Sequence, residues 1–206
     1  SAGSSDMALF SSHNHDTAAY TWNAALWCPQ LLHQLTGVCI GKKWDNGSRL
    51  LWEEARGGVR ITNRHLLQCL HAYWHASYND TPTIFRFITE AGVAVDMTAV
   101  AESNTPYVGT DNDFCVTLMD DEFPSTIHRF PVMEIPATAW TAEIGHPVYG
   151  PVVLGVSQGG DIIPGDPMMV YTGMTGGLNS AGLDAKFNHF HYAGEPGDSG
   201  TPKFLM

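Results

Sequence analysis

Ser199 lies in the stretch EPGDSGTP, with a glycine on each side of the Asp198-Ser199 pair. Such glycines let the backbone turn sharply and present a serine with neighbouring amides pointing the same way. The amides of Gly197 and Ser199 would then form an oxyanion hole, in which losing one donor removes about 3–4 kcal/mol of transition-state stabilisation. A serine hydroxyl alone is a weak nucleophile. It needs a base within hydrogen-bond reach, and the base needs an acid to orient it. Of the ten histidines, His65 directly follows a strand-like run in a short polar turn, RITNRHLLQ, which would set an imidazole at the rim of a barrel. Asp113 opens the apolar run DFCVTL. A half-buried carboxylate there is tolerable only when paired, for example by an imidazole N–H. Asp111, two residues earlier, would share the same strand face, so the two acids stay open as alternatives. Asp113 is preferred because it adjoins the apolar segment.

Taken in the order His65, Asp113, Ser199, these motifs resemble the chymotrypsin-like serine proteases. TNRH stands where that family has a Thr/Ala-rich turn ending in its histidine, NDFCVTL where it has an acid opening a strand, and GDSGTP around its serine. Within the family the chain is most similar to the 3C-like, polyprotein-processing proteases of positive-strand RNA viruses. SGTP contains the serine, no IVGG stretch is present, and the cysteines do not match a secreted disulfide pattern.

The resemblance implies two antiparallel Greek-key β-barrels. It also implies a serine endopeptidase working through a His65-Asp113-Ser199 triad and an acyl-enzyme, with no metal or organic cofactor. The expected substrate is a polypeptide, the chain's own viral polyprotein included, and the expected location is the host cytoplasm. Family members continue for several strands past their serine, whereas GTPKFLM is all that follows here. The second barrel is therefore expected to be incomplete after the nucleophile, and to be finished by a missing C-terminal segment or a neighbouring chain, because an open sheet edge invites association. HFHYAG is expected to form one wall of the specificity pocket. His191, Tyr192 and Ala193 are the expected substrate contacts, with His189 as a further candidate.

Competing readings keep the fold and change the role: a non-catalytic binding or scaffold module, a cellular cytosolic trypsin-like protease, or a serine esterase. His13 and His15, like His189 and His191, have the same-face spacing of a strand metal pair, but no third ligand accompanies either pair, so no metal is expected. GLNSAG and TGMTGG fit neither GxGxxG nor a phosphate loop. Gly197-Asp198-Ser199-Gly200-Thr201 does not match the GxSxG elbow, and the order His, Asp, Ser is wrong for the α/β-hydrolases.

The elements that must bring these residues together follow from composition. The 206 residues include 21 Gly and 12 Pro, and only 15% are charged. That mix suits many short strands joined by turns, an all-β barrel or sandwich architecture. A net charge of −11 leaves no surplus of cations to neutralise phosphates, so no nucleic-acid partner is expected. No apolar run is long enough to span a bilayer, and the N-terminus shows no secretory signal pattern. Cys28, Cys39, Cys69 and Cys115 form no CxxC pair and read as reduced core thiols in a reducing compartment, with a Cys28–Cys39 bridge left open. The six tryptophans read as core or arm anchors rather than a base-stacking platform.

Four units are expected: a flexible N-terminal arm over 1–20, an N-terminal barrel over 21–120 carrying His65 and Asp113, a linker over 121–136, and a C-terminal barrel over 137–206 carrying Ser199. Residues 22–35 predict a short helix interrupted at Pro29, and LLQCLHAYWHA has helical spacing. Asn46-Gly47 predicts a hairpin. TIFRFITEAGVAVDMTAVAE predicts two strands joined at Ala91-Gly92, and NDFCVTLMD another strand.

Overall fold

The computed structural model describes residues 8–45, 50–53, 58–69, 76–78, 81–103, 114–132, 152–157, 169–178, 185–189 and 203–205. Its elements in chain order are β1 (Phe10–Asn14), β2 (Ala19–Trp22), a 3-10 turn (Pro29–Leu31), α1 (Leu32–Leu35), β3 (Gly41–Asp45), β4 (Leu50–Glu53), β5 (Gly58–Arg60), β6 (His65–Gln68), β7 (Ser77–Tyr78), β8 (Thr81–Pro82), β9 (Ile84–Ile88), β10 (Ala94–Glu102), β11 (Cys115–Met119), β12 (Val152–Ser157), β13 (Met169–Leu178), β14 (Ala185–His189) and β15 (Lys203–Leu205). The expected all-β architecture holds.

Seven strands form one antiparallel sheet in the order β4-β3-β9-β10-β11-β6-β5. The sheet curls until its far edge meets the residues just before β3. Cys39 N donates to Gly58 O (2.8 Å), Arg60 N donates to Gly37 O (3.0 Å), and Val38 bridges Val59. This pairing satisfies edge amides that an open sheet would leave to chance contacts. A second antiparallel sheet runs β14-β13-β12-β15, and its last strand, Lys203–Leu205, pairs with β12.

Alternation along the strands separates two cores. Phe85 and Phe87 point inward with Cys39, Leu66, Met97, Ala99 and Met119, and Phe123 and Ile127 close that interior from the segment after β11. Val38, Ile40 and Ile88 point the other way and meet Leu9, Phe10, Tyr20, Leu26, Cys28 and Leu35. The predicted turn at Ala91-Gly92 joins β9 to β10, and Gly92 adopts φ +79, where a side chain would also run into the Tyr20 carbonyl. The predicted strand pair around Asn46-Gly47 is present as β3 and β4, with Asp45 opposite Leu50.

Three sequence expectations need correction. Residues 8–20 are not a flexible arm: β1 and β2 form a hairpin that buries Leu9, Phe10 and Tyr20, and Trp22 Nε1 donates to Thr89 O at 2.8 Å. The Asn14 side chain accepts from Thr17 N (3.1 Å) and shapes the hairpin turn, a local signal that the polar composition masked. Pro29 opens the helical segment rather than interrupting it, because proline at a first helical position lacks only an amide that would be unpaired anyway. The leucine spacing after His65 is not helical over Leu66–Gln68: cross-strand pairing with β11 wins over local periodicity, while Leu70 and Tyr73 lie outside the described residues.

The expected linker, 121–136, is fastened over its described part. Arg60 donates to the carbonyls of Pro124 (3.2 Å) and Ile127, and Phe130 N donates to Arg60 O. All four cysteines are buried thiols outside any disulfide, as read from the sequence.

Candidate active site around His65

β5 and β6 are joined by the loop Thr62-Asn63-Arg64, closed by Ile61 N donating to His65 O at 3.0 Å. Threonine in first position suits that geometry, since its hydroxyl can accept amides two and three residues on. Thr62 Oγ1 does accept from Arg64 N (3.1 Å) and His65 N (3.0 Å). The loop is held from outside as well. Arg64 donates to Met119 O (2.7 Å) and Asp120 O (3.1 Å) at the end of β11, and Phe123 N donates to Asn63 O (2.8 Å). The Arg60 guanidinium lies 5.0 Å from the Phe123 ring centroid and donates to Thr62 O at 2.9 Å. His65 thus rises from a loop whose backbone is fixed at both ends.

Strand alternation decides where its ring goes. On β6, Leu66 and Gln68 are buried, so His65 and Leu67 face outward and are half-buried. Leu118 of β11 lies directly opposite His65, and Leu118 and Val116 share that outer face. Among the described residues the imidazole meets one polar partner there: Nδ1 is 2.7 Å from Thr62 Oγ1. Among the described residues, no hydrogen bond involves Nε2.

Asp113 and the rival Asp111 lie outside the described residues, as do Ser199, Gly197, His191, Tyr192 and Ala193. The register still constrains the acid. Cys115 lies opposite Gln68, three residues beyond His65, which is about 10 Å along a strand. His65 itself lies opposite Leu118, at the far end of β11 from Cys115. Sequence reading placed His65 at this strand end but missed Thr62, whose only signal was a hydroxyl three residues before the histidine.

His15, half of the His13/His15 pair, has its Nδ1 at 2.5 Å from the Tyr20 hydroxyl, and no cluster of three metal-ligating side chains exists among the described residues. Burial pushes the Cys28 and Cys39 thiols up to about 11 and raises Cys115 too, so these thiols offer no thiolate at neutral pH to compete with a serine. No helix among the described residues is long and apolar enough to cross a membrane.

No family model and no curated protein matches the sequence. Solved structures do match in fold. The scabies mite inactivated protease paralogue S-I1 aligns with a TM-score of 0.55 at 14% identity, covering 84% of this chain and 80% of that one. A structure of GrC aligns at 0.53 and 12% identity, with 84% and 80% covered. Neuropsin, a serine protease expressed in the limbic system of mouse brain, aligns at 0.52 and 13% identity, with 84% and 78% covered. The chain therefore has a chymotrypsin-like, all-β protease fold.

Proposed function

We propose that the protein is a serine endopeptidase with Ser199 as nucleophile, His65 as general base and Asp113 as the acid that orients it. The observation carrying this reading is the position of His65: an imidazole on the outer face of the barrel, at the rigid β5–β6 loop, anchored through Nδ1 with Nε2 unengaged among the described residues. In this reading the imidazole accepts the Ser199 proton at Nε2 as Oγ attacks a peptide carbonyl, with Asp113 in place of Thr62 at Nδ1. It later returns that proton to the leaving amine. The amides of Gly197 and Ser199 hold the developing oxyanion, and water then hydrolyses the acyl-enzyme. The substrate is a polypeptide, bound against His191, Tyr192 and Ala193. The SGTP sequence, the missing IVGG stretch and the buried, unoxidised thiols favour a viral polyprotein cut in the host cytoplasm.

The test is a peptidyl phosphonate that captures activated serines. One adduct, mapped by mass spectrometry to Ser199 and lost in His65→Ala, is the expected result. A folded protein that stays unmodified sinks the reading. A specific observation favours one alternative, a binding or scaffold module without catalysis: the partner of Nδ1 is the Thr62 hydroxyl rather than a carboxylate. Absent labelling together with retained peptide binding would establish that alternative.

A further inference from the structure

Thr36 ends α1 and is buried. Its Oγ1 donates to His33 O at 2.6 Å and accepts from His128 N at 2.9 Å. One hydroxyl thus sets the backbone of His33, on α1, against that of His128, in the segment after β11. Gly37 permits the approach, since a Cβ there would run into the His128 carbonyl and the Phe130 ring. The two imidazoles stand with centroids 5.1 Å apart and planes at 75°, and Phe130 packs edge-on against His128 at 4.6 Å. Imidazole lone pairs lie in the ring plane. Two rings stacked face to face could not aim theirs at one point, whereas rings meeting at this angle can. Two imidazoles bound to one tetrahedral metal, each through a bond of about 2.0–2.1 Å, have ring centres about 5 Å apart.

Glu90, in the turn between β9 and β10, places Oε1 3.3 Å from His33 Nδ1. A carboxylate only accepts hydrogen, so the neutral ring carries its proton on Nδ1 and keeps a lone pair at Nε2. A carboxylate behind one ring nitrogen is how metal-ligating histidines are oriented to bind through the other. The His128 ring makes no hydrogen bond among the described residues, and the His33 side chain is 52% exposed, so a cation and its waters have access. We propose that His33 and His128 form a binding site for a divalent transition-metal cation of the zinc class, with Glu90 orienting His33. Among the described residues no third side chain joins them, so water completes the coordination. Imidazole nitrogens suit zinc, copper and nickel, whereas magnesium and calcium call for oxygen donors. A bound cation ties α1 to the segment that Phe130 N and Arg60 fasten to the loop carrying His65, through Arg60 O (3.0 Å) and Thr62 O (2.9 Å). The site stands independently of the endopeptidase reading and adds no catalytic step to it.

The test is calorimetric titration of zinc into the chelator-treated full chain at neutral pH. One zinc should bind, about tenfold or more weaker in H33Q and in H128Q, about tenfold weaker in E90Q, and unchanged in H13Q. Magnesium should give no binding heat. Because the two histidines meet only in the folded chain, zinc should also raise the urea midpoint of wild type and leave that of H128Q in place. A second measurement needs no variant to fold: zinc should protect His33 and His128 of the wild-type protein from diethyl pyrocarbonate, mapped by mass spectrometry. No zinc uptake at submillimolar concentration overturns the site. So do folded H33Q and H128Q proteins that bind zinc as tightly as wild type, and so does a His33 that reacts equally with and without zinc.

Discussion

His15 and His65 are each held through Nδ1 by a hydroxyl, at 2.5 Å from Tyr20 and 2.7 Å from Thr62. In both pairs the oxygen also accepts N–H donors: Arg86 Nη1 at 3.2 Å for Tyr20, and two amides for Thr62. The pairs differ in what stands behind the oxygen. Behind Tyr20 is Arg86, which grips Asp96 with both arms (2.6 and 2.8 Å) and donates to His15 O at 2.7 Å. That network crosses from the β1–β2 hairpin to the barrel wall. The bonds of the Thr62 hydroxyl stay within its own loop and His65. The same chemistry thus ties distant segments together in one place and sets the orientation of a single ring in the other. A contact that holds the fold together cannot be given up cheaply, whereas a local one can be exchanged.

The sharpest way to break this contrast is at Arg86, whose side chain is 7% exposed. Arg86→Met removes the hydrogen bonds from the guanidinium to the Tyr20 hydroxyl and the His15 carbonyl. Asp96 is 40% exposed and regains water, which moderates the loss. The expected destabilisation is about 3 kcal/mol by urea unfolding. Tyr20→Phe is the milder cut. The ring stays packed 5.4 Å from Phe10, Arg86 keeps Asp96, and only the hydroxyl is lost. About 1–2 kcal/mol is expected. If Tyr20→Phe equals or exceeds Arg86→Met, the network is not centred on the guanidinium and the contrast is wrongly drawn.

These two regions were also unequally legible in the sequence. At the His65 loop, local rules sufficed: an alternating strand, a polar turn and a histidine are all written within RITNRH, and β5 and β6 follow. The hairpin was read as a loose arm because its polar residues outnumber its apolar ones, and its stability comes from Arg86 and Thr89, more than sixty residues away. The leucines after His65 carried a helical spacing that pairing with β11 overrode, since ladder hydrogen bonds to a distant strand leave no local trace. Thr62 was overlooked for a different reason. Its role depends on hydrogen-bond valence, which appears only once three donors and acceptors are in place around one oxygen.

Thr62→Val is the third cut and should be small in stability. The loop is only half-buried, so water can replace the acceptor that the amides of Arg64 and His65 lose. A loss of about 0.5–1 kcal/mol is expected, with Thr62→Ser close to wild type. A loss as large as that of Arg86→Met would show that the Thr62 hydroxyl holds the barrel together and is not a local, exchangeable contact.

His128 offers the gentlest test, because among the described residues its ring has neither kind of support. Its neighbours are the His33 ring at 5.1 Å and the Phe130 ring at 4.6 Å, with its backbone N donating to Thr36 Oγ1 at 2.9 Å. Burial lowers its pKa below the usual 6.5, and the nearby His33 and Arg60 lower it further. The folded state therefore takes up this proton later than the unfolded state as pH falls. Above the unfolded value both states are neutral and the group contributes nothing; from about pH 6.5 downward the unfolded state gains the proton first, and stability declines until the folded ring also titrates. His128→Gln should flatten that part of the pH-stability curve relative to wild type, read as the difference between two urea midpoints at pH 7.5 and pH 5.5. A wild-type curve that rises across the same interval, with the variant flat, would reverse the sign and show that the His128 cation is stabilised by its surroundings instead.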